Sequence, residues 1–221
     1  MGALAARFFA RVQAAGFYET LLRDALALAP AGDGASLLDI GCGPGALTRL
    51  AAARGYRATG VDSDPAMIAQ AQRIARRESS AATFVVADLS ETATRFPAAD
   101  VVVAASLLAV VPDTASALRQ LWSCVTPGGA LLIIEPSEQM TPANAQQVLA
   151  TNRAWGRRRH LLTLWARARQ GHSINPTVFE TLPRTARRHD YPLLGGLILA
   201  TLIEKARARP EHLLPPTWSA S

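Results

Sequence analysis

The sequence predicts an α/β fold: a mostly parallel, seven-stranded sheet ending in an antiparallel hairpin, with helices on both faces and a helical lid between the fifth and sixth strands. Three observations lead there. From Ser36 onward, short apolar runs alternate with amphipathic helical stretches, the pattern of repeated strand-helix-strand units and hence of a parallel sheet. After Glu135 the alternation gives way to a stretch rich in Arg and Trp at helical spacing. Two last strand-like runs then flank Leu194-Gly195-Gly196, whose glycine pair suits a tight turn.

The elements follow in order. Residues 4–29 carry apolar side chains at helical spacing, clearest over 19–28, and stop at Pro30 and the Gly32-Asp33-Gly34 turn, so two helices are expected. Five parallel strands are predicted at 36–40, 58–61, 83–87, 101–105 and 130–134, each bounded by Gly, Pro or Asp. Helices are predicted at 46–54, 65–77 and 114–125, with a weaker turn near Ser90. Residues 142–170 read as one or two helices broken at Gly156 and Gly171, and the hairpin strands as 187–193 and 197–204. The chain therefore divides into an N-terminal helical cap (1–34), a core (35–136), a lid or insertion (137–183), a hairpin completing the sheet (184–209) and a proline-bearing tail (210–221).

At 221 residues, with 49% hydrophobic and 18% charged side chains, the chain suits one elaborated domain rather than a disordered one. Arg7 and Arg11 interrupt its first apolar stretch, so no secretory signal is expected there. The apolar runs 101–111 and 193–203 fall short of the roughly 20 residues a membrane helix needs, so no span is expected. Cys42 and Cys124 form no disulfide framework, which points to a reducing, cytoplasmic setting. The net charge of +6 is lopsided: residues 1–149 carry −2 and residues 150–221 carry +8. Such a field steers anionic partners, although a solvated Arg-rich surface has the same composition.

The chemistry centres on Leu37-Leu38-Asp39-Ile40-Gly41-Cys42-Gly43-Pro44-Gly45, an apolar strand, a three-glycine turn and then a helix. Glycine allows positive φ and close approach of backbone to a ligand, so the turn is a cradle at a helix N-terminus. Gly41, Gly43 and Ala46 also satisfy the G-x-G-x-x-G/A pattern of dinucleotide folds, and a purely structural glycine turn has the same look. Asp39 shifts the balance, because a carboxylate there attracts an ammonium group and repels a pyrophosphate.

Here the sequence resembles the class I S-adenosylmethionine-dependent methyltransferases, whose first motif runs acid-x-Gly-x-Gly-x-Gly, and the resemblance covers roughly residues 37–136. It implies a Rossmann-like fold, S-adenosyl-L-methionine as methyl donor and S-adenosyl-L-homocysteine as product. It implies further that Asp39, Gly41, Cys42, Gly43 and Gly45 form the cofactor loop and that Asp62, in Gly60-Val61-Asp62, holds the ribose hydroxyls. An acid at that position also suits the ribose of NAD. Ser63 and Met67 would flank the adenine, Met67 having ordinary helix packing as its other reading. Asp88 in Val86-Ala87-Asp88-Leu89 would meet the adenine amino group and the Leu89 amide a ring nitrogen, with helix capping as the alternative for Asp88. Ala105 and Ser106, at and just after the end of the fourth strand, complete the cofactor-binding residues that the resemblance implies. The following Leu108-Ala109-Val110-Val111-Pro112-Asp113 is similar to the Leu-His-His-Val-x-Asp run of the branch with quinone-biosynthesis C-methyltransferases, but Ala109 and Val110 replace both histidines. Pro127-Gly128-Gly129 matches the family's turn before strand five.

Methyl transfer from a sulfonium needs alignment and exclusion of water, and no metal; no His/Cys/Asp cluster with metal-ligand spacing is present in the sequence. Where a base is needed, Glu135 at the end of strand five is the first candidate, followed by His160 and His172 in the lid; a helix cap, a salt bridge and solvated surface are their alternatives. Tyr18, Trp155 and Arg158 are candidate acceptor contacts, with packing (Tyr18, Trp155) or solvation (Arg158) as the plain alternative. The leading expectation is methylation of a small organic molecule on an O, N or C atom. Nucleic acid is a possible but less favoured acceptor, since the Asn/Asp-Pro-Pro-Tyr/Phe motif is absent after strand four. A non-catalytic methyltransferase-like binding subunit and a nicotinamide-dependent oxidoreductase complete the alternatives, and the sequence leaves the oligomeric state open.

Overall fold

A computed structural model describes residues 11–152, 155–156 and 158–207. The start of the predicted cap, the predicted tail from 210 onward and Arg153, Ala154 and Arg157 of the lid lie outside the described residues. Helix α1 (Gly16–Ala27) leads into β1 (Ser36–Ile40), α2 (Ala46–Ala53), β2 (Arg57–Asp62), α3 (Pro65–Arg77), β3 (Thr83–Val86), α4 (Leu89–Arg95), β4 (Ala99–Ala105), α5 (Thr114–Ser123) and β5 (Val125–Pro136). Then come α6 (Pro142–Thr151), α7 (Leu161–Arg169), a 3₁₀ turn (Pro176–Thr181), β6 (Arg187–Leu193), a second 3₁₀ turn (Leu194–Gly196) and β7 (Ile198–Glu204). Among the described residues, the strands form one seven-stranded sheet in the order β3-β2-β1-β4-β5-β7-β6. The first five strands run parallel, and β7 pairs antiparallel with both β5 and β6. That is the predicted seven-stranded, Rossmann-like fold with its antiparallel C-terminal hairpin.

The central strands β1, β4 and β5 are buried on both sides, so their alternate residues feed two cores. Leu37, Val101, Val103, Leu132 and Ile134 pack with Phe17, Leu21, Leu22, Leu162 and Trp165 on one face. Leu38, Ile40, Val102, Leu131 and Ile133 pack with Leu118 and Leu121 on the other. This alternation draws α1 and α7 onto the same face, over β1, β4 and β5. No helix of the described residues is long and apolar enough to cross a membrane.

Among the departures from the sequence expectation, two have a clear local cause. β5 begins at Val125 rather than at residue 130, because Pro127-Gly128-Gly129 is held inside the sheet: Gly128 N–H donates to the Lys205 carbonyl at 3.0 Å and Lys205 N–H to that of Gly129 at 2.8 Å. The cost is an irregularity in the β4–β5 register between Ala99 and Val101. The weak turn near Ser90 is a full helix, α4, because Asp88 and Glu91 form a reciprocal capping box at its start.

Candidate functional site

The carboxyl ends of β1 to β4 open onto a crevice at the point where strand order reverses, the place where open α/β sheets receive ligands. After Ile40 the chain turns through Gly41 (φ 76°) and Gly43 (φ 53°), left-handed conformations that favour glycine. The amides of Gly41 and Cys42 both donate to the Val61 carbonyl, at 2.8 and 3.0 Å, which ties the turn to β2. Gly43 N–H donates to Asp62 Oδ2 at 2.8 Å, while Asp62 Oδ1 accepts from Asp64 N–H at 2.9 Å. A Cβ on Gly43 would meet the Gln13 amide nitrogen at 3.6 Å, an ordinary contact, so it is the positive φ rather than crowding that favours glycine here. Gly45 (φ 77°) serves a different purpose: a Cβ there would sit 2.3 Å from the Phe84 ring, so this glycine lets the end of the turn lie against Phe84 of β3.

The crevice holds a cavity of about 300 Å³, at the low end of the roughly 300–1,000 Å³ usual for small-ligand sites. Of the residues singled out in the sequence, Gly41, Gly43, Asp62, Ser63, Met67, Asp88, Leu89, Ala105 and Ser106 line it. Asp39, Cys42 and Gly45 do not; they lie beneath the turn. Asp39 is 1% exposed and its Oδ2 accepts from Thr48 Oγ1 at 2.6 Å, because the residue projects from β1 toward α2 rather than into the crevice. Burial pushes its carboxyl up to about 7; the Thr48 hydrogen bond opposes the rise and the nearby Asp62 adds to it. Burial likewise pushes the Cys42 thiol up, with Asp39 and Asp62 reinforcing it, so this cysteine is packing rather than a nucleophile.

Asp88 combines two positions. It lines the cavity, and its Oδ1 accepts from the backbone N–H and hydroxyl of Ser90 at 2.9 and 2.7 Å, which hold its carboxyl below the usual range. Ser106 takes φ 57°, an uncommon conformation for a non-glycine residue, as the chain leaves β4; its N–H donates to the Ile134 carbonyl at 2.8 Å. Beyond it, Leu107, Val110 and Val111 form an apolar stretch of the wall.

Glu135 is 1% exposed and off the cavity wall. Its Oε1 accepts the Leu108 N–H at 2.6 Å, so the carboxylate pins the loop after β4 from below. Burial pushes this carboxyl up to about 7, against the lowering effect of the Leu108, Ala109 and Leu107 amides and of Arg169. The candidate base predicted at the substrate face is thus engaged in holding that face in shape. His160 and His172 are exposed and away from the wall; His172 Nδ1 lies 3.1 Å from the Gln170 carbonyl.

The candidate acceptor contacts are packed together on the α1 side. Tyr18 is 2% exposed, and its ring meets Trp165 edge-on at 5.4 Å; burial raises its hydroxyl pKa. Trp155 meets Phe17 edge-on at 6.2 Å, and Phe17 stacks on Trp165 at 6.1 Å. Arg158 is exposed and donates to the Ala14 carbonyl at 3.4 Å. None of the three lines the cavity. Among the described residues, the lid residue that does is Arg169, at the end of α7. The sequence held a signal for it: Arg169 follows the buried Trp165 by four residues and so shares its helix face.

Comparison with known proteins adds the following. Residues 37–129 match the family described as Methyltransferase domain. The chain is 31% identical over 136 residues to a trans-aconitate 2-methyltransferase of Variovorax paradoxus, covering 60% of this chain and 51% of the relative. It is 36% identical over 101 residues to a ubiquinone biosynthesis O-methyltransferase of Aeromonas salmonicida, covering 45% of this chain and 42% of the relative. The chain thus spans about half the length of the curated relatives it matches. In three dimensions it resembles the plantazolicin methyltransferase BpumL, solved with S-adenosylhomocysteine, at a TM-score of 0.65 and 15% identity over 92% of this chain and 89% of that one. A TehB-like methyltransferase of Corynebacterium glutamicum gives a TM-score of 0.57 at 20% identity over 85% of this chain and 86% of that one. These structural likenesses concern the fold.

Proposed function

We propose that this chain, which carries a class I S-adenosylmethionine-dependent methyltransferase domain over residues 37–129, binds S-adenosylmethionine in the β1–β4 crevice and methylates a small organic molecule. The observation that carries the reading is the joint arrangement of the Gly43 turn and the Asp62 carboxylate, hydrogen-bonded to each other and both on the wall of one cavity. Each Asp62 oxygen already accepts one backbone N–H and retains lone-pair capacity for a ribose hydroxyl. Ser63 and Met67 on one side and Asp88 and Leu89 on the other suit a flat nucleobase between β2 and β3. Ala105 and Ser106 suit the sulfur end.

The cofactor fits this donor set on charge as well. The Asp62 carboxylate beside the turn disfavours a pyrophosphate there. The donor, when bound, supplies a methyl group on a positively charged sulfur. This chain's residues align the acceptor and exclude water, which for an in-line displacement are the main requirements. The trans-aconitate and ubiquinone-biosynthesis relatives support a small molecule over a nucleic acid as acceptor.

Titration calorimetry with S-adenosylhomocysteine, S-adenosylmethionine and NAD tests the cofactor half. Binding of both sulfur nucleosides with none of NAD is expected, and NAD binding alone overturns the reading. Incubation with labelled S-adenosylmethionine and trans-aconitate, followed by mass analysis, tests one specific acceptor. For Glu135, the Glu135→Gln variant separates two roles: unchanged turnover with normal cofactor affinity eliminates it as a base and leaves it as the loop's anchor.

A further inference from the structure

The glycine turn is anchored from outside the crevice as well as from within it. Arg49 of α2 donates from Nη1 to the Pro44 carbonyl at 2.7 Å and from Nε to Glu78 Oε2 at 2.9 Å, so one guanidinium joins the turn to the end of α3. Its side chain is 15% exposed, against 47% for Glu78, so the charge is largely withdrawn from water and answered by these two acceptors. Arg49 lies off the crevice wall and lines a separate groove of about 750 Å³ between α1, α2 and the end of α3. Pro44 stands between Gly43 (φ 53°) and Gly45 (φ 77°). Glycine backbone rotates at little steric cost, so the orientation of the peptide unit from Pro44 to Gly45 rests on the hydrogen bonds at its two ends. The Gly45 N–H donates to the Cys42 carbonyl at 3.0 Å, and the Pro44 carbonyl is the end that Arg49 holds. One residue earlier, Gly43 N–H meets Asp62 on the crevice wall.

Resting on the cofactor reading above, we infer that Arg49 is a positioning residue for the cofactor: by holding the Pro44 carbonyl it fixes the glycine turn in its binding shape before the nucleoside arrives. A turn that is already ordered spares the ligand the entropic cost of ordering it. A charge-assisted hydrogen bond suits the task, being shorter and about twice as strong as a neutral one. The planar fork of Arg reaches the carbonyl and the Glu78 carboxylate at once, and the carboxylate keeps the guanidinium aimed at the turn. The rival role for Arg49 is a clip between α2 and α3 that adds stability and leaves cofactor affinity untouched.

Three variants of the full chain separate these: Arg49→Gln, Arg49→Lys and Glu78→Ala. Calorimetry reads the affinity for S-adenosylhomocysteine, thermal unfolding certifies that each variant is folded at the titration temperature, and NMR reads amide hydrogen exchange in the ligand-free chain. Arg49→Gln is expected to weaken binding about tenfold and to speed exchange of the Gly45 amide about tenfold. The Gly41 and Cys42 amides, tied to the Val61 carbonyl, are expected to keep wild-type rates. Arg49→Lys, which can still bring one donor to the Pro44 carbonyl, is expected to fall between. Glu78→Ala cuts the tie to α3 and leaves the Pro44 bond, so its affinity is expected to stay within about threefold of wild type. Unchanged affinity in Arg49→Gln, equal losses of affinity in Arg49→Gln and Glu78→Ala, or a Gly45 amide unmoved by Arg49→Gln overturns this inference alone. Failure of the wild-type chain to bind S-adenosylhomocysteine at all is a separate outcome, which sinks the cofactor reading and this inference with it.

Discussion

Gly43 donates its backbone N–H to Asp62 Oδ2 at 2.8 Å, so the turn after β1 and the acid ending β2 form a single hydrogen-bonded unit. Asp62→Ala removes that acceptor together with the two lone-pair sites proposed for the ribose. Hydrogen bonds to a charged group are worth about 1.5–3 kcal/mol each, so the affinity for S-adenosylhomocysteine is expected to fall at least tenfold. Calorimetry reads this directly; an Asp62→Ala chain that binds as well as wild type contradicts the ribose assignment.

Two glycines two positions apart give opposite expectations. Gly45→Ala places a methyl 2.3 Å from the Phe84 ring at φ 77° and is expected to destabilise the fold by about 2–4 kcal/mol. Gly43→Ala places its methyl 3.6 Å from the Gln13 amide nitrogen, without a clash, and is expected to cost about 1–2 kcal/mol in stability, from the positive φ, and to weaken cofactor binding further because Gly43 is on the cavity wall. Urea unfolding beside calorimetry separates the pair, and a Gly43→Ala protein with normal affinity counts against the cradle.

The stability of the ligand-free chain should depend on pH through Asp39 and Glu135. Both carboxyls sit at about 7 in the fold, against about 4 in an unfolded chain. Between those values the folded chain keeps protons that the unfolded chain has released. Stability is therefore expected to fall as pH rises from about 4 to 7, and to level off above that. At ~1.4 kcal/mol per pH unit the loss is a few kcal/mol per group. Thermal unfolding between pH 5 and 8 tests it: the Asp39→Asn and Glu135→Gln variants should each show a shallower decline, and a wild-type melting temperature that rises over this range contradicts it.

Ser106 gives a backbone test. At φ 57° a β-branched side chain is strained, so Ser106→Val is expected to lose about 2 kcal/mol, while Ser106→Gly stays within about 1 kcal/mol of wild type. Chemical denaturation of the two variants provides the measurement, and equal losses would remove the conformational explanation.

Much of this architecture was legible in the chain because local chemistry and fold agree at the points that matter. The edges of β1 and α3 fall at the predicted residues, since the apolar run of β1 abuts Gly41 and the periodic run of α3 starts at the capping Asp64 and Pro65. Asp62, Ser63, Asp88 and Ser106 reach the crevice wall because parallel strands deliver the residues at and just after their carboxyl ends to one side of the sheet. What the sequence concealed was direction. Asp39 and Glu135 are polar residues in buried strands, and whether such a side chain meets a ligand, a Thr48 hydroxyl or the Leu108 amide depends on neighbours far away in the chain. Arg169 is one arginine among many in its segment, distinguished only by the helix face it shares with Trp165. The extension of β5 through Pro127-Gly128-Gly129 was hidden because its partner, Lys205, comes more than seventy residues later.

The sheet order carries one further consequence, for the growing chain. β7 lies between β5 and β6, so the strand translated first has no edge to join until the later one arrives. The five parallel strands, the crevice and the helix bearing Arg169 all precede Ile198 and can assemble while that edge is still bare. A nascent chain halted before Ile198 exposes the unpaired backbone of residues 130–136 along one long apolar strand, Leu131, Leu132, Ile133 and Ile134 included. That is a template on which neighbouring chains can add strands of their own, so the last pairing to form is also the one that keeps the polypeptide from polymerising.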